Sequence, residues 1–317
     1  MFKSYKKVTV LLIVSILISG LFIGCTNKTE ENNDNAKEAK ESTYANSDYI
    51  VSPDWLSENL DNGDVLILDA RGDKAYKKGH IPGAISVTWQ EFSNMNGKPG
   101  ERGWGAVLDS KKLSEKLSNI GVTEDKDIII YSDTQNGWGE DGRFVWMFKM
   151  AGIDNAKMLD GGFNYWEASD YKLSKKVVTK EKSNFKVEKL NNEYTIDTET
   201  LANKLDEVVV LDSRALDEYN GAVKYGEKRG GHIPNAKLLS FKSLLNEDGT
   251  FKSKNELEKI FNDVGLKKDD EIVTYCTAGI RSAHLAITLR MMGYENTKNY
   301  DESFYAWAGD ENLKLVK

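Results

Sequence analysis

An α/β architecture built twice is the fold class the sequence predicts, on three observations. Short apolar runs (VLIL at 65–68, IIIY at 128–131, VVVL at 208–211, IVTY at 272–275) alternate with stretches of helical spacing such as 111–120 and 255–264. Short buried strands between helices imply a parallel sheet covered by helices on both faces. The chain also repeats itself: VLILDARGDKAYKKGHIPGA (65–84) is answered by VVLDSRALDEYNGAVKYGEKRGGHIPNA (209–236). A second pair, 125–166 and 269–307, follows in the same order. Finally, 317 residues exceed what one core usually fills.

The elements follow from the N-terminus. Lys3, Lys6 and Lys7 precede an uncharged apolar stretch, Val8 to Ile23, too short for an ordinary membrane span but suited to a signal segment. The junction Leu21-Phe22-Ile23-Gly24-Cys25 resembles a bacterial lipobox. Residues 1–24 are therefore expected to be a lipoprotein-type signal peptide, with Cys25 as the lipid attachment point. The expected location is the extracytoplasmic face of the cell membrane. Residues 25–48 are almost entirely polar and read as a flexible tether. The first α/β unit is expected over 49–173, a lysine-rich, strand-like linker over 174–194, and the second unit over 195–317.

Composition narrows the partners. Net charge is -7, and loss of residues 1–24 with their three lysines makes it -10. An acidic body argues against nucleic acid, which wants a basic face. Three scattered histidines and one cysteine in the body of the chain make no metal site, and no cofactor is expected.

The copies differ where chemistry is expected. Ligands bind beyond the carboxyl ends of parallel strands. The segment YCTAGIRSAH (275–284) leaves an apolar strand and enters a helix. Such a loop turns its amides inward as an anion cradle, reinforced by the helix dipole. Gly279 permits the tight curl. The dipole and Arg281 favour the Cys276 thiolate and make it a nucleophile. In the first copy Ser132 stands in place of Cys276, followed by a longer, acidic loop, Asp133 to Asp141. That copy reads as scaffold.

Together LDAR and LDSR, GHIPGA and GHIPNA, LDGGFNYW and YDESFYAW resemble the signatures of the tandem-domain rhodaneses, the thiosulfate/3-mercaptopyruvate sulfurtransferases. The resemblance runs from about residue 48 to 313. It implies two rhodanese-like domains with the catalytic cysteine, Cys276, in the second. The substrate-binding loop would be Thr277, Ala278, Gly279, Ile280 and Arg281. The implied reaction moves a sulfane sulfur from a small anionic donor such as thiosulfate, through a persulfide, to a thiol or cyanide. Arg281 is expected to pair with the anionic end of the donor. Mercaptopyruvate-type loops read Gly-Ser-Gly after the cysteine and animal thiosulfate-type loops carry basic residues; Thr277-Ala278 matches neither. Arg281 resembles a bacterial thiosulfate-type subgroup, and Glu218 stands where the animal enzymes carry an arginine. 3-Mercaptopyruvate and polysulfide are the alternative donors.

Two rivals are weighed. A cysteine phosphatase of the same architecture needs five residues between cysteine and arginine, and here there are four. A non-catalytic binding lipoprotein on this fold is the reading from another class. Asp69/Arg71 and Asp212/Arg214 are spaced as the family's structural ion pairs. His80 and His232 are expected to fix turns, with His80 also a possible proton carrier. Arg229, with Lys224 and Lys228, is a possible source of positive charge at the site's mouth or a solvated surface run. His284 is expected to pack. Trp104, Trp138 and Trp146 line the face between the domains or belong to the core.

Overall fold

The computed structural model describes residues 44–317; the signal segment, Cys25 and most of the tether lie outside the described residues. Each apolar run becomes a strand of a parallel sheet. The first sheet contains β1 (Ile50–Val51), β2 (Val65–Asp69), β3 (Ile85–Ser86), β4 (Asp127–Tyr131) and β5 (Ala156–Leu159), in the order β1-β5-β4-β2-β3. The second contains β6 (Thr195–Ile196), β7 (Val209–Asp212), β8 (Lys237–Leu238), β9 (Ile272–Tyr275) and β10 (Thr297–Tyr300), in the order β6-β10-β9-β7-β8. The two orders are the same, so the sequence repeat is a structural repeat.

Helices α1 (Pro53–Glu58), α2 (Asp73–Tyr76), α3 (Ser110–Asn119), α4 (Glu140–Met150) and α5 (Gly162–Ala168) belong to the first half. Helices α6 (Thr198–Asn203), α7 (Leu216–Tyr219), α8 (Lys254–Val264), α9 (Ile280–Met291) and α10 (Ser303–Gly309) belong to the second. Local signals set their ends. The Asp109 carboxylate accepts the Lys112 amide at the start of α3, and Ser253 with Glu256 forms a capping box on α8. Both helices are amphipathic, burying Leu113 and Leu117, and Leu257 and Phe261.

The halves meet through α4 and α9, which are buried along nearly their whole length. Glycine makes the approach possible: a Cβ on Gly142 would lie 2.5 Å from His284 Cα, and one on Gly139 2.8 Å from His284 Cβ. The core around this contact runs from Leu66 in the first sheet to Ile272 in the second. A separate apolar layer covers the outer face of each sheet.

One expectation is corrected. Residues 174–194 carry the lysine-rich pattern of a strand but join neither sheet. They run extended along the first half. There the Val178 amide donates to Tyr76 Oη (3.1 Å), the Ser183 amide to Ser118 O (3.0 Å) and the Val187 amide to Ser114 Oγ (2.8 Å). These amides go to a helix carbonyl and to side chains, and the segment's bridge, Ser174 to His80, is an isolated one, so no ladder forms.

Candidate active site

Strand β9 ends at Tyr275 and helix α9 begins at Ile280, so Cys276 opens a short loop at the carboxyl edge of the second sheet. The strand end is pinned first. Tyr275 Oη donates to Asp212 (2.5 Å), which is forked by Arg214 through Nε (2.9 Å) and Nη2 (2.6 Å). Arg214 also donates to Gly231 O (2.7 Å) and lies over Phe304 (3.9 Å). The first half repeats this with Tyr131, Asp69, Arg71, Gly79 and Phe163. Both Asp/Arg pairs are thus structural, as expected.

The loop is held from α10. Ser303 sits at φ 57°, in the left-handed region, and its Oγ accepts the Cys276 amide (2.8 Å) and donates to Cys276 O (3.1 Å). The Phe304 and Tyr305 amides donate to the carbonyls of Cys276 and Thr277, both at 3.0 Å. The carbonyls of Cys276 and Thr277 are therefore drawn away, and the Ala278 and Ser282 amides bond the sulfur. Gly279 is obligatory: its φ is +79°, and a Cβ would lie 2.5 Å from Asp301 O.

Cys276 is 1% exposed. Burial pushes its thiol up, but the Arg281 charge and the Ser282 and Ala278 amides outweigh burial and hold it below its ordinary value. Ser282, in the first turn of α9, lies outside the expected substrate loop. Its position at a helix start was the available signal.

Arg281 has a different setting from the one expected. Its Nη1 and Nη2 fork the carboxylate of Glu218 (2.7 and 2.8 Å), and Nη2 also donates to Thr277 Oγ1 (2.7 Å). The Thr277 hydroxyl in turn donates to Glu218 (3.1 Å). Glu218 is 1% exposed, and a buried carboxylate demands a partner. Burial raises the pKa of Glu218, but the hydrogen bonds and charge of Arg281 pull it below the usual value. The guanidinium, which also lines the cavity, therefore favours the thiolate from within an ion pair with Glu218.

Arg143 of α4 reaches across from the first half. It pairs with Asp301 and donates to Gly279 O (3.3 Å) and Gly105 O (3.1 Å). The other Asp301 oxygen accepts the Val107 amide (2.8 Å). The scaffold half thus fastens the floor of the catalytic loop, a role sequence reasoning missed.

A cavity of about 300 Å³ opens onto Cys276 between the halves, walled by Trp89, Trp104, Trp138, Tyr225 and Tyr305 as well as the loop itself. Trp104 and Trp138 line the face between the domains. Trp146 is core, its Nε1 donating to Tyr194 O (2.7 Å).

Two candidate residues lie elsewhere. Arg229 does not line the cavity. It clamps the end of α10 and the chain just after it, donating to the carbonyls of Trp307, Ala308, Asp310 and Leu313; the helix-end carbonyls among them lack intrahelical partners and claim its donors. Lys224 pairs with Asp217 and Lys228 is exposed. His80 is buried, stacked 3.7 Å from Tyr76, with its ring nitrogens at Tyr76 O (2.8 Å) and Lys176 O (3.1 Å). It fixes the turn, as His232 does against Tyr219. His284 packs on Phe251 at 5.3 Å.

A buried, activated thiol in an amide-lined loop, set between two copies of one parallel α/β unit, defines a tandem-domain protein of persulfide-type cysteine chemistry. The rhodanese-like domain model matches residues 52–169 and 197–310, and the chain belongs to the rhodanese-like family. It is 32% identical over 276 residues to a putative thiosulfate sulfurtransferase of Mycobacterium leprae, spanning 82% of this chain and 94% of that one. It is 30% identical to the sulfur carrier protein TtuD of Thermus thermophilus, spanning 86% and 98%. Among solved structures it resembles SseA from Escherichia coli, described as a 3-mercaptopyruvate sulfotransferase. That likeness has a TM-score of 0.71 and 26% identity and covers 82% of this chain and 98% of SseA.

Proposed function

We propose that the protein is a sulfurtransferase that carries sulfane sulfur on Cys276, with thiosulfate as a donor. One observation carries this reading: the described chain holds a single cysteine, and that thiol is depressed below its ordinary pKa by the loop built around it. The Cys276 thiolate attacks the outer sulfur of thiosulfate, a Cys276–sulfur bond forms, and the donor's S–S bond breaks with its electron pair leaving on sulfite. The persulfide stays among the loop amides until a thiol acceptor attacks its outer sulfur and Cys276 departs as thiolate. The names of the relatives support thiosulfate, and that of SseA supports 3-mercaptopyruvate as a second donor to try. Incubation with thiosulfate is expected to add about 32 Da to the intact protein, mapping to Cys276 and absent from Cys276→Ser. No adduct with thiosulfate, 3-mercaptopyruvate or polysulfide would leave the binding-lipoprotein reading in its place.

Attachment to the outer face of the cell membrane through a lipid on Cys25 is the second part of the proposal. It rests on the basic start, the apolar run Val8 to Ile23 and the lipobox-like junction. Two acyl chains anchor stably where one is marginal. Labelling with a fatty acid is expected to mark the parent and not Cys25→Ala. An alanine variant that stays membrane-bound with residues 1–24 attached would replace the lipid with an uncleaved helix.

A further inference from the structure

Depth sorts the residues around the cavity into two zones. Cys276, Thr277 and Ala278 lie at its closed end and are buried, whereas Trp138 and Tyr225 are 44% and 38% exposed at its open end. The groups that suit a small anionic donor belong to the closed end: the thiol, the amides that bond it and the Arg281 guanidinium. The whole cavity is about 300 Å³, at the lower end of small-molecule sites (roughly 300–1,000 Å³), with room beyond what a small inorganic anion fills.

The open end is a fixed aromatic rim. Trp138 alone of the described tryptophans is among the exposed large apolar side chains, yet its amide is held by Glu140 (2.9 Å). The Tyr225 amide donates to Glu227 (2.8 Å), and its carbonyl accepts Tyr305 Oη (2.6 Å). The two rim rings come from opposite halves of the chain and meet edge to face, 5.5 Å between centroids. Deeper in, Trp104 stands edge-on to Tyr305 (5.5 Å) and to Trp89 (6.1 Å), so aromatic surface continues toward the thiol. Anchored backbones that leave large aromatic faces bare beside a reactive group are what a ligand-binding cleft presents.

We infer that Trp138 and Tyr225 select the sulfur acceptor, an organic thiol whose apolar or aromatic body rests on their rings while its sulfur reaches Cys276. The inference rests on the sulfur-transfer reading above and deepens it. Donor and acceptor then use different zones of one cavity in successive half-reactions. In the second, the thiol R–SH meets the Cys276 persulfide anion. A bond forms between the acceptor sulfur and the outer persulfide sulfur, and the bond from that sulfur to Cys276 breaks. Its electron pair leaves on the Cys276 thiolate, and the acceptor's proton ends on the departing hydropersulfide R–S–SH. No oxidant or reductant is consumed.

The test is single-turnover discharge of protein preloaded with thiosulfate, comparing benzyl mercaptan with ethanethiol, each rate divided by its uncatalysed reaction with a small persulfide. Both thiols are uncharged, so the comparison isolates the body that the rim would hold. In the parent the normalised rate for benzyl mercaptan should exceed that for ethanethiol roughly tenfold, the scale of one aromatic contact with the area it covers. Trp138→Ala and Tyr225→Ala, both at exposed positions, should each narrow that ratio about threefold, and Trp138→Phe, which keeps an aromatic face, should preserve most of it. Equal normalised rates in the parent, or a preference for ethanethiol, overturn the inference even if neither alanine variant folds. So do folded alanine variants that leave the ratio unchanged, including any that slow both thiols by one factor, since that is the mark of merely structural rings. Failure to load Cys276 at all would instead sink the sulfur-transfer reading.

Discussion

The loops after β4 and β9 leave equivalent strands, enter equivalent helices and are pinned by equivalent tyrosine–aspartate–arginine clusters. They differ in what their amides hold. After β4, the Asp133 carboxylate accepts the amides of Gln135 (3.1 Å) and Asn136 (2.8 Å), so the loop caps itself. After β9 the place of Ser132 is taken by Cys276, and the Ala278 and Ser282 amides serve the sulfur. The stirrup beneath each loop differs in the same sense. Gly162 at φ 54° supports Ser132 from below, and a Cβ there would lie 2.6 Å from Ser132 O. Ser303, at φ 57°, takes the same backbone conformation and adds a hydroxyl that grips Cys276 at both its amide and its carbonyl. The scaffold loop (132–139) and the catalytic loop (276–279) thus leave equivalent strand ends and differ in length as well as in side chains.

The largest expected effect breaks the comparison at the nucleophile. Cys276→Ser should lower sulfur transfer at least about a thousandfold, while Ser132→Cys should gain none, because Asp133 already occupies the amides of its loop. Steady-state rates with thiosulfate check both. Transfer by a Cys276→Ser/Ser132→Cys protein would show the two loops to be equivalent after all.

Next comes the charge beneath the catalytic loop. Arg281→Ala removes the group that most opposes the burial of Cys276, so the pH profile of thiol alkylation should move upward and the rate with thiosulfate fall roughly 10- to 100-fold. It also strands Glu218, at a cost of about 3–5 kcal/mol for one broken buried pair. Adding Glu218→Gln should restore stability in urea without restoring the rate. A double variant no more stable than Arg281→Ala would remove the pair from the account of folding.

A smaller effect is expected at the stirrup. Ser303→Ala leaves the Cys276 amide without its partner, costing about 1–3 kcal/mol. Ser303→Gly loses the same bond but relieves a left-handed side chain by about 1–2 kcal/mol. Glycine should therefore unfold at higher urea than alanine, and both should transfer sulfur more slowly than the parent. Equal midpoints would show that the backbone at Ser303 carries no strain.

The smallest effect belongs to the scaffold loop. Burial raises the Glu140 carboxyl from 4.5 to about 7, and its carboxylate accepts the Trp138 amide (2.9 Å). The native state therefore keeps a proton that the unfolded chain releases, and this group's contribution to stability falls as pH rises from about 4.5 through about 7. Glu140→Gln should flatten that part of the stability profile and stabilise the protein most above pH 7. A parent and variant with parallel profiles from pH 4.5 to 8 would place the burial elsewhere.

Much of the fold was legible because its signals are local. Apolar runs of strand length marked the central strands, helical spacing marked 111–120 and 255–264, and the repeat aligned Ser132 with Cys276. The linker misled because lysine–apolar alternation describes any half-buried extended chain, whether or not a strand lies beside it. Arg229 misled for a related reason. A basic run shows charge but not which carbonyls come within reach of it.

What the sequence determined by itself was therefore what neighbours in the chain decide: two parallel α/β units, one reactive thiol, and a loop with the glycine needed to curl around it. Tertiary structure decided the electrostatics and shape of the site. Glu218 meets Arg281 across 63 positions, Arg143 meets Asp301 across 158, and the tryptophans of the first half wall the thiol of the second. Ion pairing and apolar burial act through space at a few ångströms, and residue order carries no record of which distant groups the packed sheets bring that close.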